Sequence, residues 1–225
     1  MAMTELHGRQ PPLVMPGGLV MLGAFWMIGS WLVALGPRTP VQPSAATFEP
    51  GVRLMLICVG VGLFIAWPLM RLSQQRPAYP ARQTLLDVAV LLSMVQLVIW
   101  LPRVLTVWSI SRTGALAVLL IGWVRIISSL EAVALSTQRI GPRNLAMLAC
   151  LAICLAGPFF AWMGGLSSDG ATAVVQAGPL LGIQVLTEGG STRPAAAPWQ
   201  GVLIVGAAGL AAWIVVSVRA LIVRR

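Results

Sequence analysis

Six stretches of this chain are each long enough and apolar enough to cross a lipid bilayer as a helix. They run from Gly17 to Gly36, Gly51 to Leu72, Thr84 to Leu101, Gly114 to Ser136, Leu145 to Met163 and Gly201 to Val223. A spanning helix needs about 20 mostly apolar residues. Barrel strands do not fit, because they alternate apolar and polar residues over about 10 positions, and these runs are apolar on every side. Helices satisfy their own backbone hydrogen bonds, which lipid cannot do for them. Composition agrees. Of 225 residues, 58% are hydrophobic and 9% charged, against about 25% charged in a water-soluble domain. The expectation is an all-α polytopic membrane protein, a single transmembrane domain over residues 1–225 forming a bundle of six helices.

All 15 basic residues are arginine, and their distribution gives an orientation. One set of span ends holds Arg9, Arg71, Arg76, Arg82, Arg139, Arg143, Arg219, Arg224 and Arg225. The opposite set holds Arg38, Arg53, Arg103, Arg112 and Arg193. Cytoplasmic loops collect arginine, so this bias predicts both termini in the cytoplasm and a multi-pass protein of the cell (inner) membrane. Arg103 and Arg112 oppose the rule. The first apolar run is longer than a usual signal core and lacks a good cleavage site, so an uncleaved first span is expected. The net charge of +9 follows from cytoplasmic arginines; without a basic stripe interleaved with aromatics, nucleic acid is not an expected partner. The expected partners are the lipid bilayer and other membrane or cytoplasmic subunits.

Several chemistries are excluded by residue type. The one histidine, His7, precedes the first span, so neither a bis-histidine haem nor a three-histidine zinc site can form in the bundle. With no lysine, no phosphate-binding loop of the G-x-x-x-x-G-K-[ST] form exists. Cys58, Cys150 and Cys154 lie inside spans without metal-ligand spacing and read as small apolar residues. No catalytic residue, metal or cofactor is assigned.

The stretch "GWVRIISSLEAVALS", Gly122 to Ser136, places Arg125 and Glu131 inside the fourth span. A charge at the bilayer centre costs about 2.5–3.5 kcal/mol on insertion scales, so such a group should be paired and face away from lipid. Arg125, Ser128 and Ser129 share one helix face, whereas Glu131 is well round the helix and about 9 Å along it. The third span offers partners at matching depth: Ser93 and Gln96 level with Arg125, and Asp87 near Glu131. Arg71, ending the second span, can reach Asp87. The expectation is a network of Arg125 with Gln96 and Ser93, and of Arg71 or Arg125 bridging Asp87 and Glu131. It serves either helix pairing or a hydrophilic path.

In the sixth span, Gly206, Ala207, Ala208, Gly209, Ala211 and Ala212 form a smooth stripe on which another helix can pack closely, within the bundle or from another subunit. Pro68 should kink the second span. The tryptophans near span ends, among them Trp67, Trp100 and Trp108, are expected in interfacial belts. The external loop over 164–199 contains "TAVVQAGPLLGIQVLT", too short and too broken to span. It reads as a re-entrant or interfacial segment, or a small strand pair.

Size and topology resemble those of small membrane subunits of ABC-type exporters, a likeness of architecture that involves no motif. It implies an integral, permease-like subunit of a multi-component transporter with no ATPase of its own. The alternative is a non-transporting scaffold or assembly subunit of a membrane complex, and the third reading is an intramembrane enzyme using Asp87 and Glu131.

Overall fold

A computed structural model describes residues 17–36, 44–75, 77–137, 139–163, 176–188 and 190–222. Both chain ends, and so the expected cytoplasmic placement of the termini, lie outside the described residues, as do 164–175 of the long loop. The elements are α1 (Gly17–Leu35), α2 (Ala45–Val61), a π-helical turn (Gly62–Ala66), α3 (Trp67–Ser73), α4 (Pro80–Trp100), α5 (Ile110–Ser136), α6 (Ile140–Trp162), α7 (Pro179–Thr187) and α8 (Ala196–Ile222). Six helices are long and apolar enough to cross a membrane, with α2, the π turn and α3 together forming one of them. The protein is an all-α polytopic bundle, and no strand occurs among the described residues.

Helix α5 is the hub. It buries the largest share of its length of the six, with Leu116, Leu119, Leu120, Val124, Ile127 and Leu135 at most 1% exposed. Helices α3, α4, α6, α7 and α8 pack on it. Burial on all sides suits an element that is apolar all round.

The second span starts six residues earlier than its apolar run. Ser44 caps α2, its Oγ accepting from the Thr47 amide at 3.3 Å, and Pro50 lies exposed in the second turn. A proline's missing amide costs least near a helix start, where the ladder is only beginning. At the other end, the proline at position 68 acts through the turn before it. With no amide proton, Pro68 cannot donate to the Phe64 carbonyl four residues back. The ladder slips to wider spacing over Gly62–Ala66, where the Trp67 amide reaches the Gly62 carbonyl. Neighbouring helices supply side-chain donors. Trp26 Nε1 of α1 donates to the Cys58 carbonyl at 2.8 Å, and the Cys154 thiol of α6 lies 3.8 Å from the Phe64 carbonyl. Cys58, Cys150 and Cys154 are all free.

The expected belt positions are corrected at two tryptophans. Trp67 and Trp108 are each 3% exposed and belong to the core, while Trp100 stays exposed. Pro102 opens a short 3-10 turn (Leu101–Val104), and the chain then folds back to α5, which starts at Ile110 behind a Ser109 cap. That fold-back carries Trp108 under the bundle rim.

Helix α8 packs along α5. A methyl group on Gly209 would sit 2.6 Å from the Gly122 carbonyl oxygen and 3.1 Å from Arg125 Cβ, so the two backbones nearly touch there. Only part of the expected packing stripe is used within the bundle. Val202, Val205, Gly209 and Val216 are buried, Gly206 and Ala212 half-buried, and Ala207, Ala208 and Ala211 exposed. Small size alone does not choose a face: the seven-residue spacing from Val202 to Gly209 to Val216 sets the seam, and the alanines flank it. Gly209→Leu should therefore lower the thermal unfolding temperature in detergent far more than Ala208→Leu, which should change it little. Equal loss from both would refute this seam.

Candidate functional site: a buried charge cluster

Three helices meet where α3 ends, and each brings polar groups. Helix α3 contributes Arg71, one turn before its end, so its guanidinium reaches inward from a more solvated level. Helix α4 contributes Gln83, Thr84 and Asp87, and α5 contributes Glu131. Asp87, Glu131 and Thr84 are completely buried, and Gln83 nearly so. Gln83 and Asp87 are one turn apart on α4, a spacing that places side chains together, and Gln83 Nε2 donates to Asp87 Oδ1 at 3.1 Å. Arg71 Nε lies 2.9 Å from Asp87 Oδ2 and 4.0 Å from Glu131 Oε1. The Nε–H bond does not point along the shorter line, so the contact is an ion pair without an aligned hydrogen bond. On its outer side Arg71 Nη1 donates to Gln74 Oε1 at 2.9 Å.

The cluster is unevenly satisfied. Asp87 has an amide donor and a guanidinium. Glu131 has neither a hydrogen bond to Oε1 nor one to Oε2, and Thr84 Oγ1, one turn before Asp87, also has none. Both carboxylates approach the same nitrogen and are at most about 7 Å apart. Taking charges out of water costs several kcal/mol each, and the attraction repays this only with good geometry and full hydrogen bonding. Here Asp87 meets that condition in part, through Gln83 and the close guanidinium, and Glu131 does not meet it.

The structure brings together Arg71, Asp87 and Glu131 from the expected network and leaves out Arg125, Ser93 and Gln96. Ser93 is turned back onto the Ala89 carbonyl at 2.8 Å. Gln96 accepts from Trp100 Nε1 at 3.1 Å, one turn along its own helix. Arg125 instead faces the α5–α8 seam beside Gly209, and none of the hydrogen bonds or ion pairs among the described residues involves its side chain. The α5 face that carries Arg125 is taken by α8. Ser128, on that side, donates to the Arg125 carbonyl at 3.0 Å and accepts from Trp213 Nε1 of α8 at 2.9 Å. Ser129 is turned to the Ile126 carbonyl at 2.6 Å. The expected Arg125 pairing across the third and fourth spans is thus replaced by a Trp213–Ser128 contact between the fourth and sixth.

At the opposite end of α5, Arg112, one of the two arginines that oppose the orientation rule, and Arg53 of α2 have a structural task. Arg112 is 3% exposed. It donates to the Leu186 carbonyl through Nη1, to the Thr192 carbonyl from Nη2 at 2.8 Å and Nε at 3.2 Å, and to Thr192 Oγ1 at 3.3 Å. Arg53 of α2 donates to Thr187 Oγ1 at 3.1 Å and to the Thr187 carbonyl at 3.3 Å. Together they satisfy the last carbonyls of α7, the end where a helix dipole favours cations. The other end of α7 is fixed by Trp123 Nε1, which donates to the Ala177 carbonyl at 2.7 Å. Trp123 is about 16 Å further along α5 than Arg112, roughly half a hydrocarbon core. Helix α7 therefore runs from mid-depth to the rim, inside the bundle, with Ile183 fully buried. The described part of this loop is helical over Pro179–Thr187, so the strand pair does not occur there.

Sequence reasoning missed Arg53, Arg112, Gln83 and Thr84. Arg112 carried a signal, since an arginine against the orientation rule needs another reason to exist; Arg53 carried none of that kind. Gln83, four residues before Asp87, also carried one. Thr84 carried none. No group of three or more metal-ligating side chains occurs among the described residues. No family model, curated protein or solved structure matches this chain.

Arg112→Leu should leave the buried Leu186 carbonyl without its arginine donor, costing about 2 kcal/mol. The expected result is a lower unfolding temperature in detergent together with protease access to the segment around Thr187, and a smaller change for the half-buried Arg53→Leu. Unchanged stability and protection in Arg112→Leu would show that α7 is held by apolar packing alone.

Proposed function

We propose that the chain is an integral, permease-like membrane subunit of a multi-component transporter, with both termini in the cytoplasm of a cell whose inner membrane it crosses. The observation that carries this reading is α7. A nine-residue helix packed inside the bundle is too short to span, and would leave irregular backbone at membrane depth. Such backbone is tolerated only where protein buries it or where it lines a cavity. Transporters use interrupted helices of this kind to build binding sites near the midplane. Arg112 and Trp123 tie α7 to α5 and Arg53 ties it to α2, so α7 is a fixed element of the bundle around which a site could be built. The absence of lysine rules out a P-loop in this chain, and energy for active transport would come from a partner subunit.

A second reading, a scaffold or assembly subunit, draws support from the level of Arg125. There Val124, Ile127 and Ser128 are fully buried, and the α5 and α8 backbones close against each other at Gly209. Tight packing at that depth suits a bundle that is assembled upon. An intramembrane enzyme draws the least support, since Asp87 is already engaged by Arg71 and Gln83.

Purification of the tagged chain from its native membrane in mild detergent tests the reading. The transporter account expects a nucleotide-hydrolysing subunit at fixed stoichiometry. It also expects vesicles containing the complex to consume ATP faster when a transported solute is present. A homogeneous complex with no energy-coupling subunit would overturn it in favour of the scaffold.

A further inference from the structure

The buried cluster carries one more negative charge than positive. Arg71 supplies one cation; Asp87 and Glu131 supply two carboxylates. The other charged or titratable groups on the packed elements do not make up the difference. On α6, Cys150 faces Glu131 and is fully buried, and a thiol offers no positive charge. Arg143 of α6 donates to the Gln74 carbonyl at 3.4 Å and makes no ion pair within 4.0 Å of either carboxylate. On α4, Arg82 is exposed and lies over the Tyr79 ring at 5.8 Å. On α5, Arg125 faces α8, and beyond the helix end Arg139 is exposed. An uncompensated ion in this setting costs several kcal/mol.

Two observations show where a further positive charge belongs. Both oxygens of Glu131 lack a hydrogen bond although the residue is fully buried, and the hydroxyl oxygen of Thr84, also fully buried, lacks one too. Thr84 is a turn from Asp87 on the same face of α4, so the free hydroxyl and the carboxylates share one helix interface. Native buried polar atoms are rarely left without a partner, and a group of them at one place points to an ion or proton that completes the set.

We propose that Glu131, with Asp87 and Thr84 beside it, forms a binding site for one monovalent cation, either a proton or an alkali-metal ion such as sodium. A proton would form an O–H bond to a Glu131 oxygen and give the acid a donor for its neighbours. Sodium would be held by the same carboxylate and hydroxyl oxygens, the donor type that hard cations take. Either brings the cluster to zero net charge. The cation binds the folded bundle, where Arg71 holds the two carboxylates near each other, and so stabilises it by mass action. The site stands whether the chain transports a solute or scaffolds a complex.

The test is thermal unfolding of the full chain in lipid nanodiscs. One arm varies pH in choline chloride; the other exchanges choline for sodium at constant ionic strength and fixed pH. A proton site predicts an unfolding temperature that falls as pH rises and ignores sodium. A sodium site predicts a temperature that rises with sodium by about 3–6 °C per tenfold increase above half-saturation, an effect that Thr84→Val weakens. In both cases Glu131→Gln, which keeps the shape and removes the charge, should abolish the dependence. Infrared difference spectra of the parent supply a readout that needs no variant to fold: a proton site shows a buried carboxylic-acid C=O band, and a sodium site a sodium-dependent shift of the carboxylate bands. The proposal is overturned if the parent responds to neither cation in unfolding or spectra, or if folded Glu131→Gln responds as the parent does.

Discussion

Lipid offers neither donors nor acceptors, so every charge and every broken turn of helix inside this bundle has to be met by another part of the chain. The ion pair between Arg71 and Asp87 is the clearest case. It joins the end of the second span to the start of the third at 2.9 Å, and its arginine also lies beside Glu131 of the fourth. Three of the six spans are thereby fixed in relative depth by one guanidinium. Apolar packing alone is less demanding, because a helix can slide along an apolar neighbour at modest cost. A buried carboxylate next to its only cation cannot.

The same rule organises the other end. Arg112 and Arg53 satisfy the terminal carbonyls of α7, and Trp123 satisfies the backbone at its beginning. Helix α5 carries Arg112 near one end, Trp123 in the middle and Glu131 near the other. A small translation of α5 would therefore be felt by α7 and by the charge cluster together. That gives a contiguous physical link between a possible binding element near mid-depth and a cation site a few turns away, both riding on one rigid helix.

The spans were legible because twenty apolar residues in a row allow few alternatives. Their ends were less so: Ser44 and Ser109 cap α2 and α5 several residues before the apolar runs begin. Asp87, Glu131 and Arg71 could be matched by depth, since antiparallel neighbours read the same ruler in opposite directions. Depth does not give azimuth. Residue counting sets Arg125 level with Gln96 and Ser93, but its side of α5 belongs to α8, and this pairing depends on which helix fills which groove. The stripe in the sixth span is divided for the same reason. Gly206 and Gly209 lie at the seam and Ala207, Ala208 and Ala211 beside it, a difference of orientation that composition does not encode. Pro68 announced an irregularity, yet its resolution into a π-helical turn rests on Trp26 and Cys154, which come from distant parts of the chain.

A double-mutant cycle on Arg71 and Asp87 tests most directly whether buried pairing fixes this bundle. Unfolding free energies would be measured in one detergent for the parent, Arg71→Leu, Asp87→Leu and the double variant. Removing one partner of a buried pair costs about 3–5 kcal/mol, because the other is left uncompensated. Pairing predicts that each single variant loses about that much and that the double variant loses much less than the two together. Strictly additive losses, with no coupling between the two positions, would contradict the account.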